Sequence, residues 1–255
     1  MARYFIQLAY KGTRYAGFQV QKNANSIQAE VEKALKIYFK ADFMLTCSSR
    51  TDAGVHACSN YFHFDAAILP AQEKLNTIVY NLNAILPDDI VVKRVFLVPA
   101  NAHSRFDALS REYRYHIYQD KNPFQADRAY YYPYPLEMGK LQDAAALLMK
   151  YTDFTTFSKR NTQVKTFKCI ISKSSWVKQS DSLIYCVQAN RFLRGMVKGM
   201  VGTMLRVGSG KTGLDDFRRI IESKDCSNAD FSVAAHGLFL VNVQYPDALF
   251  IQPGK

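Results

Sequence analysis

Residues 48–57 read SSRTDAGVHA and set Arg50, Asp52 and His56 among Ser, Thr, Ala, Gly and one Val. A β-turn needs no more than a glycine or an Asn-Gly pair. A hairpin connection therefore explains Gly54 and leaves the three titratable side chains over. A guanidinium near a carboxylate keeps it ionised, and Arg50 lies two residues from Asp52. Asp52 then has the character of a nucleophile or a general base. The small residues around it leave room for a ligand, while Thr51 and Gly54 read as shaping the loop.

The other chemistry is electrostatic. The net charge is +11, and between Phe154 and Leu214 eleven lysines and arginines stand against the single acid Asp181. A solvated face mixes signs, so this segment reads as a surface for a polyanion. It holds Lys159 and Arg160, and then Arg191, Arg194 and Lys198, whose i, i+3, i+7 spacing would form one basic helix face opposite Phe192 and Met196. Upstream, SREYRYHIY (110–118) alternates Arg111, Tyr113, Tyr115 and Ile117 with Glu112, Arg114, His116 and Tyr118. Aromatics on such a strand are usually core, but arginines among them also suit a surface where a base stacks and phosphates are neutralised.

Two other readings fall away. GSGKTG (208–213) lacks the glycine that a phosphate loop needs five residues before Gly210, where Leu205 stands, and it follows a helical pattern rather than a strand. It reads as a helix end and a turn. Five cysteines, none spaced C-x-x-C, read as buried free thiols of a reducing compartment. Five histidines without ligand spacing give no metal site.

The elements that must hold these residues follow from periodicity. Residues 3–10 alternate as a strand, and Ser26 caps a helix with the stripe Ile27, Val31, Leu35 and Phe39. Strands near 43–48 and 57–64, a helix around 75–82 and a strand at 89–98 complete β-α-β-β-α-β, the ferredoxin-like order. The second half repeats it: a strand at 110–118, a helix around 141–148, strands near 166–177 and 182–189, helices at about 191–207 and 215–222, and a last strand GLFLVNVQY. The expected fold is α+β, with two lobes, 1–104 and 105–255, a mainly antiparallel sheet and a cleft between the lobes. No apolar run reaches the roughly 18 residues of a membrane span, and the opening MARYFIQLAYKG reads as a strand rather than a signal peptide. A cytoplasmic protein is expected.

SRTDAGVHA closely resembles the catalytic motif of the tRNA pseudouridine synthases of the TruA type. YKGTRYAGFQVQ (10–21), SIQAEVEKAL (26–35), NAILPDDI (83–90), AHSRFDALSREYRY (102–115), DFTTF (153–157), NRFLRGMVKGMVG (190–202) and GLFLVNVQYP (237–246) extend the likeness along the chain. The resemblance implies the pseudouridine-synthase fold and a homodimer. It also implies a cofactor-free isomerase that converts uridine to pseudouridine at nucleotides 38, 39 and 40 in the anticodon arm of tRNA. Carried over by position, Asp52 is the catalytic aspartate and Arg50 the arginine that opens the target site. Tyr113 is the tyrosine stacked on the target base, and Lys198 stands where the family has a basic partner for the aspartate. His103, Arg105, Lys159, Arg160, Arg191 and Arg194 are the RNA-binding candidates. Lys198 replaces the arginine usual in MVRN and offers a point charge without a planar fork. Ser49 replaces a common glycine, and CSNYFHF departs from the usual continuation. A non-catalytic RNA-binding module is the alternative. Asp52 speaks against it, because a carboxylate beside phosphates gives a pure binder nothing.

Overall fold

The computed structural model describes residues 1–66, 75–160 and 164–250. It divides into two compact units, residues 1–109 with 240–255 and residues 110–239. The first unit thus takes in the end of the chain, which a division at 104/105 assigns to the second lobe.

In the first unit, β1 (Ala2–Tyr10), α1 (Ile27–Phe39), β2 (Thr46–Cys47), β3 (His56–Ala66), α2 (Leu75–Ile85) and β4 (Ile90–Val98) follow in that order. β1 is central and antiparallel to both neighbours, with Ile6 opposite Phe62 of β3 and Val95 of β4. β2 adds antiparallel to the far side of β3. The Ser26 hydroxyl accepts from the Ala29 N–H at 3.3 Å and starts α1, which buries Ile27, Val31, Ala34 and Leu35. On the sheet, Ile6, Leu8 and Phe62 are fully buried on one face, and Phe5, also fully buried, packs on Tyr245 on the other.

The second unit holds β5 (Ser110–Tyr118), β6 (Tyr130–Tyr131), α3 (Met138–Leu148), β7 (Ile171–Gln179), β8 (Ser182–Ala189), α4 (Met196–Gly208) and α5 (Leu214–Glu222). β8 lies between β5 and β7, antiparallel to both, and β6 is parallel to β5. The last strand, β9, is Leu238–Gln244, and the division between the units falls within it. The protein is therefore a mixed α and β structure with mostly antiparallel sheet. No helix among the described residues is long and apolar enough to cross a membrane.

Three expectations shift. The strand expected at 43–48 shrinks to Thr46–Cys47. The strand expected from 166 begins at Ile171, because the preceding stretch bonds elsewhere: the Cys169 N–H donates to the Thr152 carbonyl and Lys168 bridges to Asp153. Cys47, Cys169 and Cys186 are buried, whereas Cys58 is exposed on β3 and Cys226 half-buried. GSGKTG does follow a helix end, with Gly210 at φ +74° in the turn.

His63 is a buried imidazole of the first unit, with Nδ1 2.9 Å from the Ser104 hydroxyl. Burial, with the charges of Arg3 and His103 added, pushes its pKa down to about 4 from an ordinary 6.5. The folded chain then stays neutral at His63 while the unfolded chain takes up a proton, so stability falls as pH drops from 6.5 towards 4. Asp65 and Asp89, with pKa values below the ordinary 3.8, lose their contributions only at lower pH. The melting temperature should decline between pH 6.5 and 4, and His63→Gln should flatten the decline. Identical pH profiles for the two proteins would exclude His63 as its source.

Candidate active site

In the first unit the SSRTDAGVHA segment is a short crossing between β2 and β3, closed by a turn in which the Val55 N–H donates to the Asp52 carbonyl at 3.1 Å. Gly54 takes φ +77°, which glycine adopts without strain. The rest of the loop rests on residues 10–18. A Cβ on Gly12 would lie 2.0 Å from the Val55 carbonyl oxygen, and one on Gly17, at φ +102°, 3.0 Å from that of Thr51. The Phe18 N–H donates to the Thr51 carbonyl at 3.0 Å, and the Thr51 hydroxyl is 2.8 Å from that of Tyr10. His56 is buried, and its Nδ1 accepts the Gly12 N–H at 3.1 Å, which gives this histidine a place in the support of the loop.

Asn60 completes the frame. Its Nδ2 donates to the Ser49 carbonyl at 2.9 Å and the Tyr10 hydroxyl at 3.1 Å. Its Oδ1 accepts from the Ser48 hydroxyl and the Tyr61 N–H, both at 2.9 Å. The 10–18 segment is itself fastened by Asp89. That carboxylate accepts from Arg14 at 2.6 Å and from the Tyr15 hydroxyl, and its backbone carbonyl accepts the Lys11 N–H. Burial works against the charge on Asp89, but the hydrogen bonds from Arg14 and Tyr15 outweigh it and hold the pKa below its ordinary value.

Asp52 itself is exposed, on top of this frame. None of the ion pairs described for the first unit includes it. Arg50, also exposed, turns instead to the buried Cys47 thiol. Burial pushes that thiol up to about 11, against the charges of Arg50 and Arg105 and a hydrogen bond from Arg50. The structure thus brings Arg50 and Arg105 to one thiol. His103 lies in the same turn as Arg105, where burial lowers its pKa.

In the second unit the buried face of β5 carries Arg111, Tyr113, Tyr115 and Ile117, as the alternation requires. Tyr113 is 9% exposed and meets Phe192 edge-on at 4.9 Å. The single basic helix face does not form. α4 starts only at Met196, because Gly195 adopts φ +74° and breaks the helical path, so Arg191 and Arg194 precede the helix. Lys198, half-buried, stands in its first turn. The same turn gathers other cations: the Lys159 N–H donates to the Arg194 carbonyl at 3.0 Å, and a Cβ on Gly195 would meet the Lys159 side chain at 3.0 Å. Arg111 donates to the Asn190 carbonyl at 2.9 Å. Lys159, Arg160 and Lys224 line a cavity of about 310 Å³ with Asp225, which lies 3.7 Å from Arg160. No group of three or more His, Cys, Asp or Glu placed to hold a metal ion occurs among the described residues.

The sequence reading missed Gly12, Gly17 and Asn60. The only signal for the glycines was their place in YKGTRYAGF, and for Asn60 a polar residue inside a strand.

Residues 144–246 match the model of a family described as tRNA pseudouridine synthase. The tRNA pseudouridine synthase A of Porphyromonas gingivalis is 44% identical over 98% of this chain and 100% of its own length. That of Bacteroides fragilis is 44% identical over 97% and 98%, and that of Staphylococcus aureus 35% identical over 94% and 91%. The class is thus an isomerase that acts on uridine in tRNA. This chain belongs to the tRNA pseudouridine synthase family.

The frame around the acidic turn makes a direct prediction. Asn60→Ala removes four hydrogen bonds and leaves buried partners unsatisfied, which costs about 1–3 kcal/mol. Urea denaturation should show a loss of that size, together with slower turnover. A loss within about 0.5 kcal/mol, the usual scatter of neutral surface changes, would show that Asn60 does not support the loop.

Proposed function

We propose that this chain isomerises uridines 38, 39 and 40 of tRNA, with Asp52 as the catalytic residue. The N1–C1′ bond of the target uridine breaks, the uracil turns, a C5–C1′ bond forms, and the proton lost from C5 is balanced by one gained at N1. The observation that carries this reading is an exposed carboxylate on a turn whose backbone is fixed by buried contacts. Such a group is preorganised to act at C1′, or to take the C5 proton, without first ordering a loop. Asp52 approaches a base that must leave its stack at a cost of a few kcal/mol. Arg50, exposed in the same segment, engages the strand that the base vacates.

Tyr113 takes the target base on its ring, and Lys198 supplies a positive charge. Lys159, Arg160, Arg191 and Arg194 neutralise phosphates, while His103 and Arg105 meet the RNA from the first unit. The reading includes two ferredoxin-like lobes. The first is supported by the strand order β4-β1-β3 with β2 outside β3, and the second by β5, α3, β7, β8 and α4 in the corresponding order. It also includes a homodimer acting in the cytoplasm.

Asp52→Asn keeps the shape and removes the charge. Single-turnover pseudouridine formation should fall by more than about a hundredfold, as loss of an acid–base group does, while tRNA binding is kept. Activity within tenfold of wild type in a folded variant would remove Asp52 from the reaction. Wild-type protein that binds tRNA and leaves it unmodified would favour the non-catalytic reading.

Binding should also weaken steeply with salt. Each phosphate neutralised contributes about 0.7–0.9 to the slope of log K against log salt. Removing Lys159 and Arg160 together should flatten that slope by about one to two units. An unchanged slope would take the RNA path away from this segment.

A further inference from the structure

The turn after β4 holds a phenyl ring out into water. Phe106 is 74% exposed, although burial of such a side chain is favourable. The backbone beneath it is not loose. His103 Nδ1 accepts from the N–H of Arg105 at 3.1 Å and of Phe106 at 3.4 Å. The His103 N–H donates to the Asp107 carboxylate at 2.7 Å, and the Asp107 N–H returns to the His103 carbonyl at 3.1 Å. Ser104, between them, is fully buried and donates its hydroxyl to the Thr46 carbonyl at 2.8 Å and its N–H to His63 at 3.2 Å. The His103 ring leans on Phe106, with centroids 4.2 Å apart and planes at 36°.

The surroundings of the ring are cationic. The Arg105 guanidinium stands 5.8 Å from its centroid. A rigid, exposed aromatic with a guanidinium beside it matches the two surfaces of a nucleotide, a flat base and a charged phosphate. A second copy of the chain fits less well, because a two-fold contact through this patch would set Arg105 against its own copy.

We propose that Phe106 is a stacking platform for an unstacked nucleobase of the tRNA near the target uridine, with Arg105 pairing with a phosphate beside that base. The proposal rests on tRNA being the substrate. It adds a base-binding residue that neither the acidic turn nor the basic segment supplies.

The test compares wild type with Phe106→Ala, Phe106→Leu and Phe106→Tyr. An unmodified tRNA transcript serves as probe, in filter binding at several salt concentrations, alongside pseudouridine formation, melting temperature and sedimentation of the free protein. Stacking is worth about 1–3 kcal/mol per base, so Phe106→Ala should weaken binding about 5- to 150-fold. The salt slope and the melting temperature should stay unchanged. Phe106→Tyr should bind like wild type, and Phe106→Leu like Phe106→Ala. Binding by Phe106→Ala within twofold of wild type would overturn the proposal. So would a Leu variant as good as Tyr, which would mark a simple apolar contact, or a loss of affinity that tracks dissociation of a dimer. Should wild type bind tRNA without modifying it while Phe106→Ala still weakens binding, the isomerase reading fails and the platform stands. Failure of wild type to bind tRNA overturns both.

Discussion

Two missing methyl groups decide where the acidic turn stands. At Gly12 any side chain would collide with the Val55 carbonyl, and Gly17 takes a φ of +102° that other residues rarely adopt, where a Cβ would sit tight against Thr51. That approach lets one short segment, residues 10–18, supply three separate supports: the Gly12 N–H to His56, the Phe18 N–H to Thr51 and the Tyr10 hydroxyl beside that of Thr51. Asp89 fastens the segment to the start of β4, and Asn60 fastens the other side to β3. The backbone that carries the exposed carboxylate is thus already ordered, so ordering it is no part of the cost of any contact made there.

The elements were legible wherever local pattern alone decides them. The capped helix at 27–39 and the alternating strand at 110–118 emerge as expected, because hydrophobic period and capping chemistry act within a few residues. The pattern misled where a distant partner or a single backbone angle wins. Arg191, Arg194 and Lys198 have helical spacing, but Gly195 in the left-handed region ends that helix before it reaches the arginines. Residues 167–169 look extended, yet they bond to 152–154.

The acidic loop followed the same rule. Its residue types pointed to chemistry at Asp52, whereas its support comes from glycines some 40 residues upstream, a distance over which periodicity carries no information. His56, a titratable side chain that a plain hairpin leaves unexplained, turns out to accept a backbone N–H. Charge was legible as a sum but not as a shape. Composition marked residues 154–214 as acid-poor, but the meeting of Lys159 with Arg194 depends on Gly195. In the first unit Arg3 and Arg14 are matched locally by Asp65, Asp88 and Asp89.

The division of the chain has a consequence for how it is made. Residues 240–255 belong to the first unit, so the whole of the second unit is inserted before the first is complete. Tyr245 packs on Phe5 and Tyr61, and the Leu109 N–H donates to the Gln244 carbonyl at 2.8 Å. During synthesis these aromatic faces and this backbone donor must wait for a segment that follows the whole of the second unit. Domains generally fold as units as they emerge, and here residues 110–239 are the only unit whose every residue has emerged before the final stretch is translated. The first unit can close only after the second has been made.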